Sequence, residues 1–269
     1  PNLRVMSTQP QPPPPSSSPT QTRASNTQIA ATAASLVMIL ASALSWILPL
    51  LRKPALAKRA YVMALQCALF VHGSRAVTNM RQRMIAEATA TRAPTDTWRE
   101  RLALVANVFP HIAATTDFQY SFATIIFFST ATTRPVAVAL IPTTVLAIYH
   151  VVVFFNGKIG QSMLWRGYGG NKAMAFLRSH QQQALMLNAQ AEVVALPLLL
   201  IHAFAGGKTA AGYVMAFAYA QYLRLRYKCA DARRYHVDLW NRIYASVASV
   251  TNRVGMTPLL DRFAGYLAR

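Results

Sequence analysis

The sequence predicts an all-α, polytopic integral membrane bundle with two short helical hairpins and C-terminal amphipathic helices. Three observations predict it. First, 54% of the 269 residues are hydrophobic and only 13% are charged, about half the usual quarter, so there is too little polar surface to wrap so large a core in water. Second, the apolar residues come in runs of helical length that hold at most one charged residue each. Third, the cations collect in the segments between those runs.

The charge balance is one-sided: 27 Lys/Arg stand against 8 Asp/Glu, a formal net charge of +19, and the first acidic residue is Glu87. Such a chain seeks an anionic partner, either a lipid surface or nucleic acid. Cys67 and Cys229, the two cysteines, form neither a disulfide framework nor a metal site. No metal or cofactor is expected.

Residues 1–28 contain QPQPPPPSSSPT and lack the apolar content that ordering requires, which reads as a disordered Pro/Ser-rich tail. Being acid-poor, with Arg4 and Arg23, this leader also has transit-peptide character, the mark of an organellar membrane as a minority address. The membrane domain is expected over 29–223. Its first run, 29–51, is long enough at 1.5 Å per residue to cross a hydrocarbon core of about 30 Å, and Pro49 ends or kinks it. The run at 60–72 is shorter and suits an interfacial helix within 52–110. Thr95 or Thr97 is placed to cap a following helix.

Further spans are expected near 113–133, 136–155, 184–204 and 209–223. The first two are separated by little more than Arg134 and Pro135, the last two by AGGK, so each pair turns straight back as a hairpin. The segment 156–183 between them reads as a cationic, glycine-containing connector. Segments 52–110, 156–183 and 224–269 carry ten, four and nine Lys/Arg, whereas each hairpin tip carries one. By the positive-inside rule all three heavy segments share the cytosolic side. The N-terminus lies on the far side if 29–51 crosses fully, or on the cationic side if the chain bends back at Pro49.

The tail, 224–269, begins with the stretch YLRLRYKCADARRYH at 222–236. Arg224, Arg226, Lys228, Arg233 and Arg234 are the expected lipid-headgroup contacts. Val237, Trp240, Tyr244, Val247, Val250 and Val254 recur at helical spacing. Thr257 and Pro258 then signal a second short helix with Leu259, Leu260, Phe263 and Leu267 on its apolar side. Trp240, Val247, Val250, Leu260 and Phe263 are the expected membrane-inserting residues, each nearby cation adding roughly 1 kcal/mol at an anionic leaflet. Direct nucleic-acid binding is not expected, because no recognition motif accompanies the patch and a bilayer lies a few residues away.

No catalytic signature emerges. GGKT at 206–209 lacks the first glycine and the preceding strand of a phosphate loop, and GYGG at 167–170 lacks the context of a dinucleotide site. Both read as turns. Asp117, His150, Glu192 and His202 fall inside apolar runs, where ionisable groups are functional candidates by default. Asp117, His150 and Glu192 are read as an intramembrane polar lock between helices.

RPVAVALIPTTVLAIYH, with Pro135, Pro142 and His150, resembles the hairpin pattern of the transmembrane protein 33 family, which includes yeast pore-and-ER membrane proteins. HQQQALMLNAQAEVVALP, with Gln181, Gln182, Glu192 and Pro197, is similar to it as well, as is LRY at 225–227 followed by an Arg-rich turn and Trp240. The similarity runs from about 102 to 269 and departs from the pattern in KCADARRYHV. It implies a non-enzymatic, multi-pass protein of the endoplasmic reticulum and nuclear envelope that shapes or senses curvature, organises tubules and supports nuclear pore distribution or assembly. Implied partners are anionic lipids of the cytosolic leaflet, curvature-forming ER proteins, nucleoporins and import receptors. The alternative is a regulatory subunit of an ion channel or transporter, with Asp117 and Glu192 on its contact surface. A lipid-directed enzyme using His150 and Glu192 ranks third.

Overall fold

A computed structural model describes residues 26–91, 97–131, 135–205 and 210–254, with Pro258 and Arg262. All regular structure among them is helical: α1 (Asn26–Ile47), α2 (Pro54–Thr91), α3 (Trp98–Ala113), α4 (Thr116–Thr130), α5 (Leu140–Ile159), α6 (Met163–Gly167), α7 (Gly170–Ser179), α8 (Gln181–Ala205), α9 (Ala210–Lys228) and α10 (Ala230–Val254), with a 3-10 turn at Ala137–Ala139 leading into α5. The fold is an all-α membrane bundle. By length and composition α1, α8 and α5 with its leading turn are able to cross a bilayer.

Six helices close into a ring. In order around it run α1, α2, α4, α9, α8 and α5, and α5 returns to α1. One half of the ring is filled by side chains: Met38, Tyr61, Leu65, Phe127, Leu140, Leu196, Tyr219 and Tyr222 share one core, with Phe127 edge-on to Tyr219 at 5.0 Å. Some of the small polar residues inside it bond to their own helix, as where Ser35 Oγ donates to the Ala31 carbonyl (2.8 Å) and Thr124 Oγ1 to that of Tyr120 (2.7 Å).

The ring has two unlike ends. At the tip end lie the turns after α1 and α4, tied where Trp46 Nε1 donates to the Ala137 carbonyl (3.2 Å). At the base end the start of α1 faces Arg75, Asp117, His150 and Lys158. All the remaining described helices join at the base: α3 leads into α4, α6 and α7 link α5 to α8, and α10 follows α9.

This arrangement corrects two expectations. The run at 60–72 is not an interfacial segment. It is the inner part of α2, with Ala60, Tyr61, Ala64, Leu65, Ala68, Val71 and His72 buried. Its apolar stretch is short because neighbouring helices supply the shielding that lipid would otherwise demand, and its small residues let α1 approach closely.

The segment 52–110 is therefore not confined to one side. From Pro54 to Arg75, α2 travels about 30 Å between the ends of the bundle, so exposed Arg52 and Lys53 lie at the tip while Arg75 lies at the base. The chain reverses at 48–53, where Arg52 adopts φ 56°, making a third hairpin of α1 and α2. The start of α1 thus shares the base with Lys158, as the bend at Pro49 would require.

The arms of the α4–α5 pair make little contact with each other. α4 packs on α2 and α9, and α5 on α1 and α8, because Val136, Ala139 and Leu140 insert into the core between them. Gly206, Gly207 and Lys208 of the AGGK tip, Arg134 and Thr95 lie outside the described residues, as do the tail up to Ser25 and Leu259, Leu260, Phe263 and Leu267. Thr97 does cap α3: its Oγ1 accepts from Glu100 N (3.3 Å) and the Glu100 carboxylate accepts from Thr97 N (3.0 Å).

Candidate functional site: a buried carboxylate centre at the base of the ring

Glu192 stands about three turns inside α8 and is 2% exposed. Its carboxylate is held by three helices at once. The Tyr120 hydroxyl donates to Oε1 (2.9 Å), Arg226 Nε donates to Oε2 (3.1 Å), and His236 Nε2 lies 3.0 Å from Oε2. Pro197 lies inside the same unbroken helix, and the Tyr219 hydroxyl donates to the Glu192 main-chain carbonyl (2.9 Å).

Arg226 is 5% exposed and reaches three acceptors with its planar fork. Beyond Glu192, Nη1 donates to Gln119 Oε1 (3.3 Å) and Nη2 to the Tyr120 hydroxyl (3.2 Å), and the guanidinium carbon lies 4.9 Å from the centre of the Tyr120 ring. One charged pair thus joins α4, α8, α9 and α10. A buried pair of this kind is tolerable because most of its remaining donors and acceptors are engaged.

A second polar group lies across α4. Asp117 Oδ1 is 3.0 Å from His72 Nδ1, and Arg75 Nη1 donates to the His150 ring (2.6 Å to Nδ1). The tilted rings of His72 and Tyr120, 5.4 Å apart, stand between the two groups. Asp117 and His150 are thus near one another on one side of this wall and Glu192 is on the other. His202 sits in the last turn of α8, toward the tip.

The base half of the ring opens into two polar cavities. One, of about 530 Å³, is bounded by α4, α5, α8, α9 and α10. The other, of about 990 Å³, lies among α1, α2, α4 and α5 and receives Arg75, Asp117, His150 and Lys158. No cluster of metal-ligating side chains occurs among the described residues.

A protein-family model matches residues 98–255, more than half of the chain, and its description is Transmembrane protein 33/Nucleoporin POM33. The chain belongs to this family. It is a membrane protein, and the match takes in both hairpins after α2 and the whole carboxylate centre. No curated protein and no solved structure matches the chain.

The expected headgroup contacts divide. Lys228, Arg233 and Arg234 are exposed and Arg224 is partly buried, but Arg226 is buried beside Glu192 and lies off the open surface of the tail. Burial follows from its position: Tyr219, Tyr222 and Leu223 already face inward, and Arg226 continues their face of α9 toward Glu192.

The inward face of α10 is likewise turned from the expected one. Tyr235, His236 and Leu239 are buried, while Tyr244 is exposed. Trp240, expected to insert into the membrane, is partly buried with Ile243 against Leu185, Met186, Ala189 and Val193 of α8. The His236–Glu192 bond fixes this rotation. For Val247 and Val250 the structure describes only the backbone of α10.

His72, Gln119, Tyr120 and His236 were not read from the sequence as members of a site. His236 shares a face with Leu239 and Ile243, a spacing that marks it as inward.

Proposed function

We propose that the protein is a non-enzymatic component of the endoplasmic reticulum and nuclear-envelope membrane that shapes or senses curvature by acting as a wedge in the cytosolic leaflet. The observation that carries this is the unequal ends of the bundle: short turns at the tip, and α3, α6, α7 and α10 gathered at the base. Volume added mainly to one leaflet favours bending toward the other.

The base helices carry what interfacial seating requires. On α3, Trp98 (65% exposed), Leu102 and Phe109 stand beside Arg99 and Arg101. On α6, α7 and the turn between them, Met163 (91% exposed), Leu164, Tyr168 and Phe176 stand beside Arg166, Lys172 and Arg178. Apolar side chains next to cations are suited to the headgroup layer. The connector 156–183 is thus better read as two short interfacial helices with a built turn: Gly169 takes φ 85°, and at Gly170 a Cβ would meet the Trp165 ring at 2.1 Å. Val247, Val250, Leu260 and Phe263 are further candidates for insertion. Anionic lipids, curvature-forming ER proteins, nucleoporins and import receptors are the partners this reading entails, and family membership supports the ER and pore-membrane address.

Full-length protein reconstituted into vesicles of mixed diameter tests it. The smallest vesicles are expected to hold the highest protein density, and replacing Trp98, Leu102, Met163 and Leu164 by Ser is expected to remove most of that preference. Equal density at all diameters would refute the wedge. A second reading, a regulatory subunit of a channel or transporter, draws on the larger polar cavity with Asp117; a stoichiometric channel partner retained in mild detergent would favour it.

A further inference from the structure

We propose that the 530 Å³ cavity at the base of the ring is a site for the headgroup of one anionic phospholipid, its phosphate between Arg226 and Arg234 and a headgroup hydroxyl donating to Asn188. This rests on the membrane placement of the chain and not on the curvature reading.

Charge and dipole select an anion. Arg226, Arg234 and His236 line the cavity, and Glu192, the carboxylate behind them, is already engaged by Tyr120, Arg226 and His236. Arg226 has five N–H groups, of which three are committed to Glu192, Gln119 and Tyr120. The guanidinium carbon of Arg234 lies 4.5 Å from the centre of the Tyr235 ring, and this exposed side chain lines the cavity. The first turns of α4, α8 and α10 reach the same cavity at Thr116, Gln181 and Ala232, and helix N-termini favour negative charge. Asp117, on that first turn of α4, is paired with His72 and lines the other cavity.

Asn188 supplies the second, independent observation. It is 6% exposed, it lines the cavity, and its Oδ1 has no donor among the described residues. A buried acceptor left open is costly, and Asn188 stands about two turns along α8 from Gln181, which lines the same cavity. A ligand with both a phosphate and a hydroxyl answers both the cations and this acceptor. Leu146, Leu185 and Ala189 give the cavity an apolar wall, and a volume in the range of ligand sites at the basic end of a spanning bundle fits a lipid headgroup.

The test uses full-length protein in mild detergent, with phosphatidylinositol, phosphatidylcholine, glycerophosphoinositol and inorganic phosphate as probes, and native mass spectrometry to count retained lipid. One phosphatidylinositol is expected to remain bound and phosphatidylcholine to wash away. Arg234→Glu is expected to weaken retention about tenfold, Asn188→Ala to weaken it severalfold, and Arg233→Glu, exposed on the same helix but outside the cavity, to leave it unchanged. Thermal melting identifies any variant that fails to fold, and Arg234→Glu, at an exposed position, keeps the test open if Asn188→Ala does. Retention of neither lipid, equal retention of both, or equal losses from Arg233→Glu and Arg234→Glu would overturn the proposal. Displacement by inorganic phosphate or glycerophosphoinositol at the concentration of the lipid would overturn its lipid component.

Discussion

Arg226→Met is expected to destabilise the protein by about 3–5 kcal/mol, read as an early melting transition and loss of monodispersity in detergent. The substitution leaves the Glu192 carboxylate without its cation and removes the donors that Gln119 and Tyr120 use. Arg226→Lys is expected to recover little of the loss, because an ammonium does not reproduce the planar fork that reaches three acceptors. Glu192→Met is expected to cost a similar amount, since it strands Arg226 instead.

The double variant is expected to be less damaged than the sum of the two, with a coupling of about 1–3 kcal/mol, because no uncompensated charge then remains. If both single variants melt like the native protein, the centre is not a buried ion pair. His236→Ala has a more local expectation. It should loosen α10 from α8, seen as faster hydrogen exchange in Tyr235–Ile243, while the ring itself holds.

Ala64→Leu and Ala68→Leu are expected to cost about 1–3 kcal/mol each by overpacking. Both alanines are fully buried on α2, which packs most extensively against α1. Across the seam α1 offers Ala31, Ser35, Met38, Ala41 and Ser42. Four-residue spacing of small side chains lets the two backbones approach, and added volume at one position pushes the whole hairpin apart. By contrast Ala55→Leu, at an exposed position on the same helix, should be nearly silent. The comparison of melting temperatures separates packing from a general effect of hydrophobicity.

The spans α1, α5 and α8 were legible because each is a long apolar run with at most one charged residue. α2 was not, since Lys58 and Arg59 precede its apolar stretch and Arg75 follows it, so any window long enough to cross includes charge. What remained visible was the repeat Ala60, Ala64, Ala68, which signals close packing when read beside the small residues of α1. Glu192 stood out as an acid in an apolar helix, but its cation did not: Arg226 looks like one of a basic cluster until its seven-residue offset from Tyr219 is noticed. That α2 carries Arg75 to the base while Arg52 stays at the tip depends on packing between distant segments, and local pattern carries no record of it.

Cysteine accessibility in sealed microsomes tests the central claim, that the ring has a bare tip on one side of the membrane and a crowded base on the other. With Cys67 and Cys229 replaced by Ser, single cysteines are placed at Lys53, Arg99 and Lys172. An impermeant thiol reagent is expected to reach Arg99→Cys and Lys172→Cys from the cytosolic side, and Lys53→Cys only after the vesicles are opened. Labelling of all three from the cytosolic side would contradict the account, because Arg52 and Lys53 would then lie with the base and α2 would not traverse the bundle.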